Sequence, residues 1–486
     1  MALPNSADDD KEEAGPKSLM ADIGMLVKSL YIKEVPSYGN SIFYSLGFLL
    51  LTTLLVLVVS GIIMVIFGPF WWNATPMGVF VRSVHLWAAE AFFVFLIWHL
   101  FVVFSTSAYR AKKLVWILGS VILVLVMLEA AFGLGLRGDF VSQWNDIAGA
   151  DLWNGLGFGY WINPLNYGAL YGWHTAIVPV LLFGLIFAHY YLVKLKGLST
   201  PYRKDIPYTM VEANHKKLYM RAGVTVVAIL AFALLFRAPY IAPITIQHVA
   251  QTSPALFAAT LVQEFNYSSG TATYLDTIDP YTFSTRNVFV SVPYSYYMKL
   301  NGTSNEESAF YNLSSQKQDA DIAAAYAYFS SNGTLNASAS NPNPIIPMMS
   351  SLAIMAQKGF YGPVLSTEQG STFDQTYQLR LLSDTGVMDT LATKYGLQTN
   401  QFGMIKAGQG FWPIGTWWVL PYNLLEIAFP NSTDLQDGSL ALALFIVLIS
   451  FPYIPYLNKL PDKLKLYKIV WNRFTVPEMR KPKSKK

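Results

Sequence analysis

Four histidines lie in pairs within two long apolar runs, and they are the residues of this sequence best suited to chemistry. His85 and His99 belong to one run, and His174 and His189 belong to the other. The intervals are 14 and 15 residues. At about 100° and 1.5 Å per helical residue, these steps put both histidines of a run on nearly one helix face, roughly 21–23 Å apart. Two such helices facing each other would present two His–His pairs at two depths.

Paired imidazoles suit a flat ligand whose metal takes two axial nitrogens, and haem iron meets that description. A single intramembrane histidine is often a hydrogen-bonded packing residue. However, polar side chains within lipid are costly and are usually functional. Packing alone does not account for four of the chain's six histidines in two matching pairs. The sequence therefore predicts two b-type haems.

The composition defines the class of protein in which these histidines lie. The chain has 486 residues, of which 53% are hydrophobic and 13% charged, with a mean hydropathy of +0.34. These values indicate an integral membrane protein. Zero cysteines exclude disulfides, Cys-ligated iron–sulfur clusters and c-type haem attachment within this chain. The net charge of +4 is too small to indicate nucleic-acid binding.

Six apolar stretches are long enough to cross a bilayer, which takes about 20 residues. Lys and Arg cluster in the connection 109–113, after residue 194 and in the C-terminal tail. The positive-inside rule therefore puts these segments and the polar N-terminal tail, 1–38, in the cytoplasm of a multi-pass cell-membrane protein. We expect an all-α fold with a four-helix diheme bundle and two further spans. The six stretches are at about 41–67, 78–107, 114–135, 170–194, 217–237 and 438–457.

The connection between the last two spans is a large insertion, 238–437, and it lies on the predicted outer side. Its pattern is mixed, because residues 288–300 suggest a strand while residues 307–329 suggest a helix. We expect a packing, shielding or partner-docking role for it. All seven N-x-[ST] acceptors fall in predicted outer connections, which indicates a glycosylated outer face. They are Asn73, Asn266, Asn301, Asn312, Asn332, Asn336 and Asn431.

Two pairs of glycines repeat the histidine interval on the two helices of the bundle that carry no histidine. Gly47 and Gly61 are 14 residues apart, and so are Gly119 and Gly133. Helices beside a bulky, flat macrocycle need positions without side chains, although glycine also serves close helix packing. Two pairs at the ligand spacing predict a notch for each haem.

With these residues in place, residues 38–201 resemble cytochrome b of the quinol-oxidising bc and b6f-type complexes. The resemblance implies that His85 and His174 hold an outer haem and that His99 and His189 hold an inner one. It also implies that Arg82 meets a propionate of the outer haem. The further matching positions are Trp116 with Gly119, Pro179 after His174, and Gly197, Ser199 and Pro201 in the segment HYYLVKLKGLSTP.

The second half resembles the family more faintly. The segment GTWWVLPYNLLEIAFPN, 415–431, aligns with the PEWY motif and the helix that follows it. Thr416 stands where the family has the glutamate that takes a proton from quinol, and Trp417 and Trp418 complete the motif. The stretch LRGDF, 136–140, replaces LPW[DG]Q.

The missing glutamate leaves the proton acceptor of the outer quinol site to be found, since quinol oxidation releases two protons. The candidates are Glu129, one helical turn before Gly133, together with Asp139 and Glu426. The alternative is that Glu129 and Glu90 are buried structural carboxylates that are protonated or paired. On the cytoplasmic side, His215 beside two lysines is either an ordinary residue or a polar group of an inner quinone site.

The resemblance implies a diheme subunit of a respiratory complex with a membrane domain at 39–200. A second domain at 201–486 would contain an outer insertion at about 238–414. Quinol would be oxidised near the outer face. One electron would pass to a Rieske iron–sulfur protein and the other through both haems to an inner quinone, which builds a proton gradient. Family members work as homodimers. Two alternatives are a diheme anchor that does not bifurcate electrons and a transporter with a histidine relay.

Overall fold

The structure is a computed structural model, and its helices confirm the all-α membrane fold. Five described helices are long and apolar enough to cross a membrane. A bent pair, Gly438–Tyr453 with Leu457–Lys463, makes a sixth span if it is counted as one. The described residues are 32–198, 209–275, 283–301, 305–338, 340–397, 417–419, 424–425, 427–432 and 434–471.

The first half of the chain supplies five spans and, between the third and fourth of them, the shorter helix α4. Helix α1 bends at Gly68, whose φ of 77° favours glycine, and Pro69 follows the bend. Helix α2 begins at Pro76, behind a Thr75 cap whose hydroxyl accepts from the Gly78 amide. The helices are α1 (Leu46–Ala74), α2 (Pro76–Ser105), α3 (Lys113–Gly135), α4 (Phe140–Gly155), α5 (Tyr167–Lys196) and α6 (His215–Leu235).

Helix α5 changes its winding where it carries His174. The segment Tyr167–Gly172 is α-helical, Trp173–Ile177 forms a π turn, and Val178–Lys196 is α-helical again. Pro179 lies just beyond the π turn, and proline lacks the amide hydrogen that an α-helix needs there. Such π turns are frequent at functional sites because they re-aim side chains.

A two-stranded antiparallel sheet lies at the end of the bundle away from the insertion. Strand β1 (Glu34–Pro36) pairs with β2 (Met210–Glu212), so that Glu34 faces Glu212. The pair ties the segment before α1 to the segment before α6.

The insertion has its own apolar core, and its described elements are helices apart from one β-bridge, between Asp374 and Asn166. The strand predicted for residues 288–300 is wrong, because a π turn at Asn287–Ser291 leads into α10 there. Val288, Phe289 and Val290 are all buried, and an apolar run buried on every side carries no periodicity that separates strand from helix. Residues 307–329 are helical as predicted except at 312–314, which separate α11 (Glu306–Tyr311) from α12 (Ser315–Ser330). The helices are α7 (Ile246–Thr252), α8 (Pro254–Phe265), α9 (Gly270–Leu275), α10 (Val292–Asn301), α11 (Glu306–Tyr311), α12 (Ser315–Ser330), α13 (Ile345–Gln357), α14 (Tyr361–Gln369), α15 (Thr376–Asp384) and α16 (Val387–Tyr395).

The insertion and the last span both pack against the bundle. Helix α4, which the sequence did not predict, puts Phe140 and Val141 into the core of the insertion. Helix α17 (Asp434–Ser450) packs on α3, where the Trp116 indole donates to the Leu448 carbonyl at 2.8 Å. The insertion therefore lies at the bundle end where α3 finishes.

Candidate functional site

Helices α2 and α5 bring His85 and His174 together inside the bundle. Their ring centroids are 6.4 Å apart, with 74° between the ring planes. Two metal–imidazole bonds of about 2 Å each, plus the reach from each ring nitrogen to its ring centre, add up to roughly this separation. The two rings therefore stand at a spacing that admits one metal ion between them.

The hydrogen bonds at His85 fix which nitrogen is free to bind a metal. Its Nδ1 lies 3.0 Å from the Ser60 hydroxyl oxygen. Ser60 donates its own hydrogen to the Val56 carbonyl at 2.7 Å, so the serine oxygen accepts from His85. Nδ1 thus carries the hydrogen, and a neutral His85 keeps its lone pair on Nε2.

His174 reaches the same tautomer through a different partner. Its Nδ1 lies 3.0 Å from the Glu129 main-chain oxygen and 3.2 Å from the Glu129 Oε1. A carbonyl oxygen only accepts, so Nδ1 is the donor and Nε2 is left free. Second contacts of this kind orient metal-binding histidines and raise their basicity.

Each histidine ring faces one of the four glycines that the sequence singled out. A methyl group added at Gly133 would lie 2.8 Å from the His174 Cε1, and one at Gly119 would lie 3.2 Å from the His189 Cε1. The corresponding distances are 3.5 Å from Gly61 to His85 and 3.9 Å from Gly47 to His99. These contacts define two layers. The His85 layer is His85, His174, Gly61 and Gly133, and the His99 layer is His99, His189, Gly47 and Gly119.

The His99 layer opens into a cavity of about 420 Å³. Its wall includes both histidines and both glycines of the layer. Further along, polar groups line it near the end of the bundle where β1 and β2 pair, namely Asn40, Lys112, His215 and Arg221.

Haem fits the donor groups that are present. Among the described residues no three His, Asp or Glu side chains converge as a metal site, so iron bound between two histidines would need its other ligands from a macrocycle. Each of the four histidine rings lies against a glycine, which places no side chain of its own beside the ring. Neutral imidazoles on opposite sides of one axis are the ligands that such an iron takes.

Arg82 is buried at the outer margin of the His85 layer. Its guanidinium donates to the Asn73 side-chain oxygen and to the carbonyls of Ala238, at 3.0 Å, and Pro239, at 2.5 Å. These bonds fasten the start of the insertion to α2. The propionate contact implied by the resemblance stays a prediction.

The PEWY-like segment reaches the bundle through its two tryptophans. The Trp417 indole donates to the Glu90 Oε2 at 2.6 Å, and Trp418 stacks on Phe93 with centroids 4.5 Å apart. Glu90 is 7% exposed, and its Oε1 has no hydrogen-bond partner among the described residues. Sequence analysis considered Glu90 as a structural carboxylate and did not predict its bond to Trp417, because a contact between residues 327 positions apart leaves no local signal.

The three predicted proton acceptors stand in different surroundings. Glu129 contacts His174, and its Oε2 has no hydrogen-bond partner in the described part of the chain. Asp139 is fully buried, caps α4 through the Ser142 amide at 3.0 Å and pairs with Arg137 at 2.7 Å. Both of its oxygens are engaged, which disfavours a proton-accepting role. Thr416 and Glu426 lie outside the described residues.

Six of the seven predicted glycosylation acceptors are exposed: Asn266, Asn301, Asn312, Asn332, Asn336 and Asn431. Asn73 differs, since its side chain accepts from Arg82 and donates to the Arg137 carbonyl at 3.1 Å. That engagement disfavours modification of Asn73.

The fold and the histidine pairs define a helical membrane protein built to hold flat groups between its helices, and the comparisons agree. Residues 90–254 match the family described as cytochrome b(N-terminal)/b6/petB. Cytochrome b6 of Heliobacterium modesticaldum is 26% identical over 209 residues, which are 37% of this chain and 96% of that protein. Cytochrome b6 of Synechococcus elongatus is 25% identical over 203 residues, covering 37% and 94%.

A solved structure titled "Hyperthermophilic respiratory Complex III" is 17% identical and covers 74% of this chain and 98% of that chain, with a TM-score of 0.37. A TM-score this low does not by itself establish a common fold. The sequence matches confirm the resemblance: residues 90–254 are similar to the cytochrome b N-terminal/b6 family, and the first half of the chain is similar to cytochrome b6 proteins.

Proposed function

We propose that this chain is the diheme cytochrome b subunit of a quinol-oxidising respiratory complex. The observation that carries the proposal is the layered arrangement, in which each of four histidines faces a glycine and His85 stands 6.4 Å from His174. His85 and His174 would hold one haem, and His99 and His189 the other. Haem iron supplies a one-electron carrier when it is bound.

The chain's own residues position these carriers and tune them. The Ser60 hydroxyl and Glu129 keep the hydrogen on Nδ1 and leave Nε2 of His85 and His174 free, and these two nitrogens would hold the iron. Glycines make room for the macrocycles. The intervals of 14 and 15 residues separate the carriers by roughly 21–23 Å along the helix axes, which distributes them across the membrane.

The cavity at the His99 layer would receive the quinone that is reduced. Lys112, which lies between α2 and α3, donates to the Gly197 and Leu198 carbonyls at its rim. Burial and the neighbouring Lys196 lower the pKa of Lys112 to about 8. A lysine with such a pKa exchanges its proton near neutral pH, which suits a site where quinone takes up protons. His215 lines the same cavity.

Quinol would be oxidised at the other end of the bundle, near Trp417 and Trp418. One electron would pass to a Rieske iron–sulfur protein and the other through the bundle, in a homodimeric complex. Protons would be released outside and taken up inside, forming a gradient. With both termini in the cytoplasm, the insertion would lie outside and would carry glycans at the exposed acceptors. The domains would be 39–200 and 201–486, after the tail 1–38.

The test is a reduced-minus-oxidised spectrum of the purified complex, combined with haem quantification and a potentiometric titration. We expect two b-type haems per chain with separate midpoint potentials. A preparation that contains the folded chain without haem would refute the proposal and favour the histidine-relay transporter.

A diheme anchor that passes electrons without bifurcation is the second candidate, because Thr416 replaces the family's glutamate. Quinol turnover separates the two functions. A bifurcating complex reduces the inner haem and a high-potential acceptor in equal amounts from each quinol. An anchor sends both electrons along one path, so no high-potential acceptor is required.

A further inference from the structure

The two histidines of the His85 layer have unlike partners. Glu129 presents both its carbonyl oxygen and Oε1 to the His174 Nδ1, at 3.0 and 3.2 Å. His85 faces only the neutral Ser60 hydroxyl, at 3.0 Å. In the His99 layer, the Nδ1 of His189 has no hydrogen-bond partner among the described residues. Within the described part of the chain, His174 is the one histidine of the four in contact with a carboxylate.

Glu129 lies on the part of α3 that comes closest to the His174 ring. It lies one turn before Gly133, the glycine that approaches the His174 ring most closely. Its side chain is about one-fifth exposed, and its Oε2 has no hydrogen-bond partner among the described residues. A carboxylate shielded from water acts on a neighbouring ring more strongly than one at a surface, because the local dielectric constant is low.

We propose that Glu129 is a positioning residue that lowers the midpoint potential of the haem held by His85 and His174. The proposal rests on the proposed function. A carboxylate that accepts from Nδ1–H makes Nε2 a stronger donor to iron, which favours the ferric over the ferrous state. The His99 layer lacks such a partner among the described residues. An electron therefore moves downhill from the His85 layer to the His99 layer.

This role differs from the proton acceptor that the sequence suggested for Glu129. An acceptor needs an oxygen that faces quinol, whereas the positioning role needs only the contact between Oε1 and His174. The two roles separate in an experiment without turnover, because a proton acceptor leaves equilibrium haem potentials unchanged.

The experiment is a spectropotentiometric titration of the purified complex carrying Glu129→Gln. We expect the ferric-to-ferrous equilibrium of the His85-layer haem to shift at least tenfold toward the ferrous form, which is about 59 mV for a one-electron couple. The other haem serves as the internal reference and should not move. Ser60→Ala, which removes a neutral partner, should move the same haem by less.

Glu90→Gln is the matched control, since it neutralises a buried carboxylate that bonds to Trp417 and not to a histidine. It should leave the gap between the two haem potentials unchanged. Two bound haems with an unchanged gap in Glu129→Gln would overturn the proposal, and so would an equal shift of both. A wild-type complex without two haems would refute the proposed function instead.

A variant that binds haem poorly still decides the question. If Glu129→Gln loses the His85-layer haem alone, Glu129→Asp, which keeps the charge, should restore that haem at a potential below the one that Glu129→Ala gives. Loss of both haems in the Gln and Asp variants alike is what a general packing role predicts, and it would contradict the proposal.

Discussion

The membrane bundle and the insertion use helices in opposite ways. In α1, the most apolar of the candidate spans, five of 29 residues are buried, and two of those five are Thr53 and Ser60. In α13, at the centre of the insertion, 11 of 13 residues are buried. Apolar side chains of a span can face lipid, so α1 buries few of its residues, and the apolar core within the bundle, which includes Phe93, Ile122 and Val126, is smaller than that of the insertion. The insertion must instead fill its own core.

This comparison teaches where function lies in the chain. The bundle keeps space between its helices for groups that the chain does not supply. The insertion closes around Phe257, Phe265 and Phe289, each fully buried. Substitutions in the bundle should therefore alter haem content, whereas substitutions in the insertion should alter stability.

Loss of one axial histidine should have the largest effect. His85→Ala and His174→Ala should each remove the same single haem, because one iron needs both rings, and the insertion should unfold at its wild-type temperature. Haem per chain and the number of redox steps measure this. His99→Ala is the matched variant and should remove the other haem. If His85→Ala and His174→Ala removed different haems, the pairing would be wrong.

The distances between the glycines and the histidine rings predict how strongly an alanine at each glycine weakens haem retention. Gly133→Ala puts a methyl group 2.8 Å from the His174 ring, a distance at which an atom must shift, whereas Gly47→Ala puts one at 3.9 Å from His99, an ordinary contact. We expect several-fold weaker retention of the His85-layer haem in Gly133→Ala. Gly47→Ala should retain haem and gain helix propensity of about 1 kcal/mol.

Haem retention during dilution into apomyoglobin, a haem acceptor, measures this gradient. Gly61→Ala, at 3.5 Å from the His85 ring, should fall between the two. Equal retention in all three variants would mean that the glycines serve helix packing and not the haem notch.

The contrast also explains which parts of the fold the sequence could predict. Apolar length identified the spans, and the first stretch, predicted to end at 67, meets the bend at Gly68. Residue spacing placed each histidine on a defined face. These signals are local in sequence. The insertion has continuous apolar runs such as Val288–Val290, and such a run has the same hydrophobic pattern in a helix as in a strand. These residues are helical because of how they pack in the core of the insertion.

The contacts around the histidines needed information that the sequence does not carry. Ser60 reaches His85 from 25 residues away and Glu129 reaches His174 from 45, and both contacts depend on the relative rotation of neighbouring helices. Helical spacing put Glu129 beside Gly133 but did not show that it bonds to His174. One usable signal was Ser60 itself, a small polar residue in an apolar helix directly before a notch glycine.

In the insertion, a buried pair of carboxyl groups should make stability depend on pH. Burial and the hydrogen bond and charge of Asp384 raise the pKa of Glu264 well above its ordinary 4.5. The folded state then holds a proton that the unfolded state releases from about pH 4.5 upward. The stability contribution is therefore complete below pH 4.5 and is lost as the pH rises through the folded pKa.

Glu264→Gln should remove this dependence, because the amide donates to Asp384 without a titrating proton. Thermal unfolding of the insertion at pH 4 and pH 7 should differ by the equivalent of about 1–3 kcal/mol in the wild type and by much less in the variant. Glu307→Gln, on the neighbouring α11 and hydrogen-bonded to Ser291, is the control and should keep the difference. Haem content should be unaffected throughout. If the stability of the wild-type insertion did not depend on pH, a proton held between Glu264 and Asp384 would be ruled out.

We expect the smallest effect on stability from substitutions of Trp417 and Trp418, where the chain returns from the insertion to the bundle. Trp417→Phe keeps the aromatic ring but removes the donor to the Glu90 Oε2, so a buried carboxyl group loses its described partner. The local cost should be about 1 kcal/mol, seen as faster hydrogen exchange in 417–432 with both haems retained. Trp418→Phe should change exchange less, because it keeps the stacking on Phe93. If Trp417→Phe instead released a haem, the hydrogen bond between Trp417 and Glu90 would be part of the haem site and not only of the connection between the insertion and the bundle.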